Sequence, residues 1–163
     1  MATTALKGNP VQTVGELPAV GSTAPAVDLV GADLAPVART DGTRTVLNIF
    51  PSVDTGVCAA SVRKFNELAA SLDNTEVITA SMDLPFALAR FCGAEGIENV
   101  RAASAFRSDF GDQYGIRLAD GPMAGLLGRA VVVLDADGTV LHSQLVDEIT
   151  TEPDYDAAVS SLS

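Results

Sequence analysis

An apolar strand that runs into a proline and then directly into a helix limits this chain to a small set of layered folds. Residues 44–50 include Val46, Leu47, Ile49 and Phe50, a short apolar run that reads as a buried strand. Pro51 ends it, because proline has no N–H to give a neighbouring strand. Asp54-Thr55 is a helix start, and residues 56–72 continue in helical pattern. Val57, Ser61, Phe65 and Leu68 lie near one stripe of that helix, and Cys58, Val62, Phe65 and Ala69 near an overlapping one.

The rest of the chain alternates in the same way. Residues 4–6 and 11–14 flank Lys7-Gly8-Asn9-Pro10 and predict a short N-terminal β-hairpin. Two short strands are expected at 26–30 and 33–37 around Gly31, and Asp41-Gly42 marks a turn before the buried strand. Residues 76–82 form the next strand. A short helix at 85–91 has Pro85 in its first turn and is broken by Gly93 and Gly96. A short strand at 100–103 and a helical turn at 109–114 follow. The β-branched strand 129–134 then turns at Asp135-Ala136-Asp137-Gly138 into 139–146. Thr151, Pro153 and Asp154 open the last helix. This order predicts an α/β sheet with parallel and antiparallel parts.

With 163 residues, 47% of them hydrophobic, and no repeat or linker, the chain is expected to form one domain over residues 1–163. The formal net charge of −11 argues against a nucleic-acid partner. The acidic residues Asp147, Glu148, Glu152, Asp154 and Asp156 are expected to form a solvated C-terminal face. The N-terminus lacks a secretory pattern, and no run approaches the roughly 18 apolar residues of a membrane span. A cytoplasmic location without membrane attachment is expected.

In a reducing compartment the two cysteines are either inert core residues or working redox groups. Their spacing is far from CxxC. With His142 the one histidine, no zinc or haem site is expected. His142 is expected to be an exposed residue of the 139–146 strand. Cys58 falls in the first turn of its helix, where free N–H groups and the positive end of the macrodipole sit. Thr55, three residues earlier, can aim its hydroxyl at the same point. A buried cysteine alone could be a small hydrophobe. The strand–Pro–Thr–x–x–Cys–helix context argues for a reactive one.

The run from Pro51 to Cys58 resembles the peroxiredoxin pattern Pro-x-x-x-Thr-x-x-Cys. The longer run from Asn48 to Cys58, continuing to Arg63-Lys64-Phe65-Asn66, is similar to the bacterial thiol peroxidase branch, an atypical two-cysteine group. Three further blocks resemble that branch. One is Asp83-Leu84-Pro85-Phe86 with Arg90-Phe91-Cys92-Gly93. Another is Ala119-Asp120-Gly121-Pro122 with the run from Arg129 to Leu134. The third is Gln144-Leu145-Val146-Asp147-Glu148-Ile149 with Glu152-Pro153. Residues 38–45 run shorter than the pattern, and Gly128 replaces a more usual small side chain.

The resemblance implies a thioredoxin-like fold of the peroxiredoxin type, which the element order fits. It implies Cys58 as peroxidatic and Cys92 as resolving cysteine, Thr55 and Arg129 as the active-site hydroxyl and guanidinium, and Pro51 as a shield from water. Arg63 is expected to support the helix or a dimer interface. The implied substrates are hydroperoxides, the implied reductant is thioredoxin, and the implied assembly is a homodimer. No cofactor or metal is expected, and the sequence has no GxGxxG or Cys-His cluster. Another thioredoxin-fold peroxidase class, a redox sensor and a structural disulfide module are the competing readings.

Thiol acidity alone does not make such a site fast. At pH 7 an ordinary thiol with a pKa of about 8.5 is roughly 3% ionised. Lowering a thiol by about 2.5 units gains about 30-fold in thiolate but loses roughly 10- to 18-fold in nucleophilicity. Orientation of the peroxide and stabilisation of its leaving oxygen must supply the rest.

Overall fold

In the computed structural model, which describes residues 1–163, seven strands form one twisted sheet and two form a separate hairpin. The hairpin is β1 (Thr3–Leu6) with β2 (Asn9–Gln12). The sheet strands are β3 (Leu29–Gly31), β4 (Pro36–Val37), β5 (Arg44–Ile49), β6 (Thr75–Ser81), β7 (Arg101–Ser104), β8 (Ala130–Leu134) and β9 (Val140–Leu145). They lie in the order β4-β3-β7-β6-β5-β8-β9. The helices are α1 (Gly56–Ala69), α2 (Pro85–Glu95), the single turn α3 (Phe110–Gln113) and α4 (Tyr155–Ser160).

Strand β5 pairs parallel with β6 and antiparallel with β8, so that Leu47 stands opposite Ile78 on one side and Val132 on the other. Side chains alternate along a strand. Val46, Val77, Val131 and Val133 therefore pack with Phe65 of α1 and Ala158 of α4, while Leu47, Ile49, Ile78 and Val132 pack with Phe110, Tyr114 and Ile116 on the opposite face. Burial on both faces is the reason β5 and β8 read as nearly continuous apolar runs. A third cluster, Phe50, Val53, Cys58, Val62, Leu88 and Phe91, fills the space where α1 and α2 meet the end of β5.

Several boundaries differ from those expected. The second hairpin strand starts at Asn9, because Lys7 and Gly8 alone make the turn, with φ of 51° and 83°. Two positive-φ central residues are the mark of a type I′ turn. Pro10 then sits inside β2 opposite Ala5, tolerable because β2 is an edge strand of the two-stranded sheet. The strands around Gly31 are shorter than predicted, since Asp33 Oδ1 accepts the Ala35 N–H at 3.0 Å and bends the chain. Helix α2 continues through Gly93 and closes at Gly96, whose φ of 65° gives the left-handed cap. An interior glycine costs only about 1 kcal/mol. The last helix opens at Asp154, which accepts the Ala157 N–H at 3.0 Å, while Thr151 donates to Glu148 O at 2.7 Å instead. The shortened stretch at 38–45 is fastened by Glu76, which accepts the Thr40 N–H at 2.7 Å and pairs with Arg101 at 2.9 Å.

Candidate active site

Cys58 is the third residue of α1. Thr55 precedes the helix in extended conformation, and the first turn bond runs from Ala59 N–H to Thr55 O at 3.0 Å. Helix geometry leaves the N–H groups of Gly56, Val57 and Cys58 without acceptors of their own. The Thr55 hydroxyl does not cap the helix. It donates to Ser52 O at 3.1 Å, and Thr55 is exposed. The expectation that this hydroxyl points at the cysteine is therefore not met in this conformation, because the turn at residues 52–55 offers it a carbonyl first.

Polar contacts across elements hold this loop, and hydrophobic periodicity does not reveal them. Asp83 accepts the Ser52 hydroxyl at 2.7 Å, the Val53 N–H at 2.8 Å and the Ser81 hydroxyl at 2.7 Å. One turn into α1, Ser61 donates to Cys58 O at 2.8 Å and accepts from buried Asn48 of β5 at 3.1 Å. Asn48 was the available signal, a polar residue within an apolar strand. Pro51 is buried beneath the loop.

Arg129 reaches the same point from the neighbouring strand β8. The antiparallel register sets Ala130 opposite Ile49, so the residue before β8 lies beside the end of β5. Arg129 is 1% exposed. Its Nε donates to Ile149 O at 2.7 Å and its Nη2 to Cys58 Sγ at 3.0 Å. A guanidinium is a charged, strong donor to sulfur. Nη1 is buried and has no partner. An unmet buried donor costs about 1–3 kcal/mol, and this one belongs to a residue that lines a cavity of ≈280 Å³. Pro51, Thr55 and Val57 line the cavity from the cysteine loop. Leu6 and Lys7 reach it from the hairpin, and Ile149 and Thr150 from the segment that holds Arg129.

Cys92 stands apart from this group. It lies inside α2, half-buried, and packs against the apolar cluster that contains Cys58. Both cysteines are free. Burial pushes the Cys92 thiol above its ordinary value, which disfavours its thiolate further. The two cysteine-bearing segments are joined by ion pairs, Arg90 with Asp54 at 2.8 Å and Arg63 with Glu95 at 3.2 Å. Arg63 thus supports the packing of α1 against α2.

Two other expectations need correction or refinement. His142 is half-buried rather than exposed, and burial pushes its imidazole below the ordinary value against the opposing charge of Asp154. The C-terminal acidic residues do more than face solvent. Asp154 caps α4, Glu152 accepts from the Tyr155 hydroxyl at 2.8 Å, and Glu148 braces the hairpin turn.

The model of the redoxin family matches residues 19–159. The chain is 60% identical over 164 residues to a thiol peroxidase of Corynebacterium glutamicum, and 58% identical to a thiol peroxidase of Mycobacterium tuberculosis, in each case covering 99% of both chains. A solved peroxiredoxin-like protein from Aquifex aeolicus superposes with a TM-score of 0.95 at 41% identity, covering 99% of this chain and 96% of that one. A thiol peroxidase from Chromobacterium violaceum, at 23% identity, shares the fold with a TM-score of 0.88 over 95% and 91%.

Proposed function

The chain belongs to the redoxin family, and we infer from that membership and from its close relatives that it is a thiol peroxidase, an antioxidant oxidoreductase that reduces hydroperoxides at the expense of a thiol reductant. Cys58 is the nucleophile of this reading and Cys92 its resolving partner. The contact between Arg129 Nη2 and Cys58 Sγ, with Nη1 buried and without a partner, is the observation that carries it.

The Cys58 thiolate attacks the distal peroxide oxygen in line. The O–O bond breaks, and the leaving oxygen departs as an alkoxide or hydroxide that takes a proton to become alcohol or water. Cys58 is left as a sulfenic acid. The Arg129 guanidinium and the N–H groups of the first helical turn are the donors that orient the peroxide and meet the charge growing on it. Thr55 joins them when its hydroxyl gives up Ser52 O. The Cys92 thiol then displaces the sulfenic oxygen as water, forming an intrachain disulfide. A dithiol of the thioredoxin type supplies the two electrons that reopen it. No step requires a metal or an organic cofactor.

A cytoplasmic setting and a homodimer complete the reading. No helix is long and apolar enough to cross a membrane, and Leu84 and Phe86, exposed at the start of α2, are apolar side chains available to a second copy. The test is NADPH consumption coupled through thioredoxin reductase and thioredoxin, with hydrogen peroxide and with a bulky organic hydroperoxide. Many peroxide equivalents should be consumed per chain, and none by Cys58→Ser. Turnover that persists in Cys58→Ser removes Cys58 from the nucleophile's role, and consumption of about one equivalent makes the protein a sensor.

A further inference from the structure

We propose that Lys7 is a specificity-determining residue that receives the carboxylate of an anionic organic hydroperoxide whose reactive end lies at Cys58. The proposal rests on the peroxidase reading and names the substrate class of the same site. The cavity holds ≈280 Å³, about nine water-sized volumes at roughly 30 Å³ each. Hydrogen peroxide has two heavy atoms and leaves most of that space unused. The wall is apolar, made by Leu6, Val57, Met123 and Ile149, and two cations line it, buried Arg129 and exposed Lys7. A buried cation beside Cys58, apolar walls and a second cation describe a receptor for an anionic amphiphile.

Three further observations single out Lys7. Its side chain takes part in none of the five ion pairs of the chain. The carboxylate that binds its turn, Glu148, is occupied by neutral donors: the Gly8 N–H at 2.8 Å, the Thr150 N–H at 3.0 Å and the Thr150 hydroxyl at 2.8 Å. The Lys7 ammonium is therefore free to meet a ligand. Second, Lys7 has φ of 51° in a turn position that Asn, Asp or Gly enters more easily. Turn formation does not explain a lysine there, and strain beside a cavity points to a use for the side chain. Third, the chain's net charge of −11 repels anions at a distance. Lys7 and Arg129 are the two cationic residues that line the cavity, and an anionic substrate would use both where a neutral one would not.

The test compares a hydroperoxide of a medium-chain carboxylic acid with its methyl ester. The peroxide and carboxyl groups are separated by about six to eight carbons, a body small enough for a cavity of about nine water-sized volumes. The ester keeps the apolar body and loses the charge. Full-length wild type should favour the acid in kcat/KM by up to about fivefold, as expected of a solvent-exposed ion pair. Lys7→Gln should lose that preference and Lys7→Glu should reverse it, and in both the rate on the acid should change by more than the rate on hydrogen peroxide. Lys7→Gly suits the turn better and guards against misfolding, and it should lose the preference as well. An acid-to-ester ratio equal in wild type, Lys7→Gln and Lys7→Gly overturns the proposal. So does a loss shared equally by hydrogen peroxide, which makes Lys7 a support of the turn. Failure of the peroxidase reading looks different: wild type would then turn over neither hydrogen peroxide nor the ester in a Cys58-dependent way.

Discussion

Asp54 and Arg90 form a 2.8 Å ion pair that joins the residue before the cap of α1 to the residue two before Cys92 on α2. Arg63 and Glu95, at 3.2 Å, make a second link beyond Cys92. The segment that bears Cys92 is thus pinned on both sides to the helix that bears Cys58. These pairs are solvent-exposed, so each is worth at most about 1 kcal/mol. They hold the arrangement in which peroxide reacts and oppose any departure of α2 from it.

Releasing one pin should speed resolution without touching the first chemical step. In Arg90→Ala or Glu95→Ala, disulfide formation after oxidation should accelerate by up to about fivefold, the factor that corresponds to about 1 kcal/mol. The bimolecular rate with peroxide should stay as it is. Rapid acid quench followed by alkylation and mass measurement separates the two rates. A slower or unchanged resolution step would show that the pairs do not restrain α2.

Arg129→Lys keeps a positive charge and loses the planar fork. An ammonium cannot reproduce the Nε bond to Ile149 O, the Nη2 bond to Cys58 Sγ and the free Nη1 donor together. The bimolecular rate with peroxide should fall at least about tenfold, the scale of losing an oriented donor to developing charge. The ultraviolet absorbance of the thiolate, followed against pH, should change much less. If the lost thiolate fraction accounts for the whole loss of rate, the peroxide is not being oriented by this residue.

Glu148 gives a pH signature to the brace between the hairpin and the Arg129-holding segment. Hydrogen bonds from the Thr150 and Gly8 backbones hold its carboxyl at about 2, below the ordinary 4.5. A carboxyl whose folded value is depressed stabilises the protein above its unfolded value, and that contribution is lost as pH falls towards the folded one. Stability attributable to Glu148 should therefore be complete above about pH 5 and decline between about pH 4.5 and 2. Glu148→Gln should melt lower at pH 7 and show a shallower fall of Tm in that acid window. Parallel Tm–pH curves for the two proteins would exclude the brace.

The strand, Pro51, Thr55 and Cys58 were readable in sequence because each acts on its own neighbourhood: an apolar run, a missing donor, a helix start. Arg129 came from family resemblance, since it meets Cys58 across 71 residues through β5–β8 pairing that no local pattern records. Asp83, Ser61 and Glu148 had no periodicity to reveal them. Their partners are backbone groups and hydroxyls brought close only by the fold. The end of α2 was misplaced because Gly93 reads as a breaker, whereas its cost is small against the helix bonds on either side and the left-handed Gly96 makes the real stop.

That longer α2 sharpens what oxidation must do. Cys92 is not at a frayed end but inside the helix, with its carbonyl taken by both Gly96 and Ile97 N–H groups. A disulfide needs Cα atoms within about 7 Å, and helices packed about 8–10 Å apart axis to axis do not supply this by default. One helix must open. Helix α1 is tied through Ser61 and Asn48 to the sheet, while α2 has 11 residues, an interior glycine and a glycine stop. Opening α2 also takes Cys92 out of the burial that raises its pKa, so the motion that brings the thiol to the sulfenic acid lets that pKa fall back towards the ordinary value. Residues 85–96 should therefore lose amide-exchange protection on oxidation, while residues 56–69 keep theirs. Cys92→Ser should reduce about one equivalent of peroxide and then stall as the sulfenic acid with thioredoxin present. Equal protection of residues 85–96 in reduced and oxidised protein, with the disulfide confirmed by mass, would rule out the unwinding of α2.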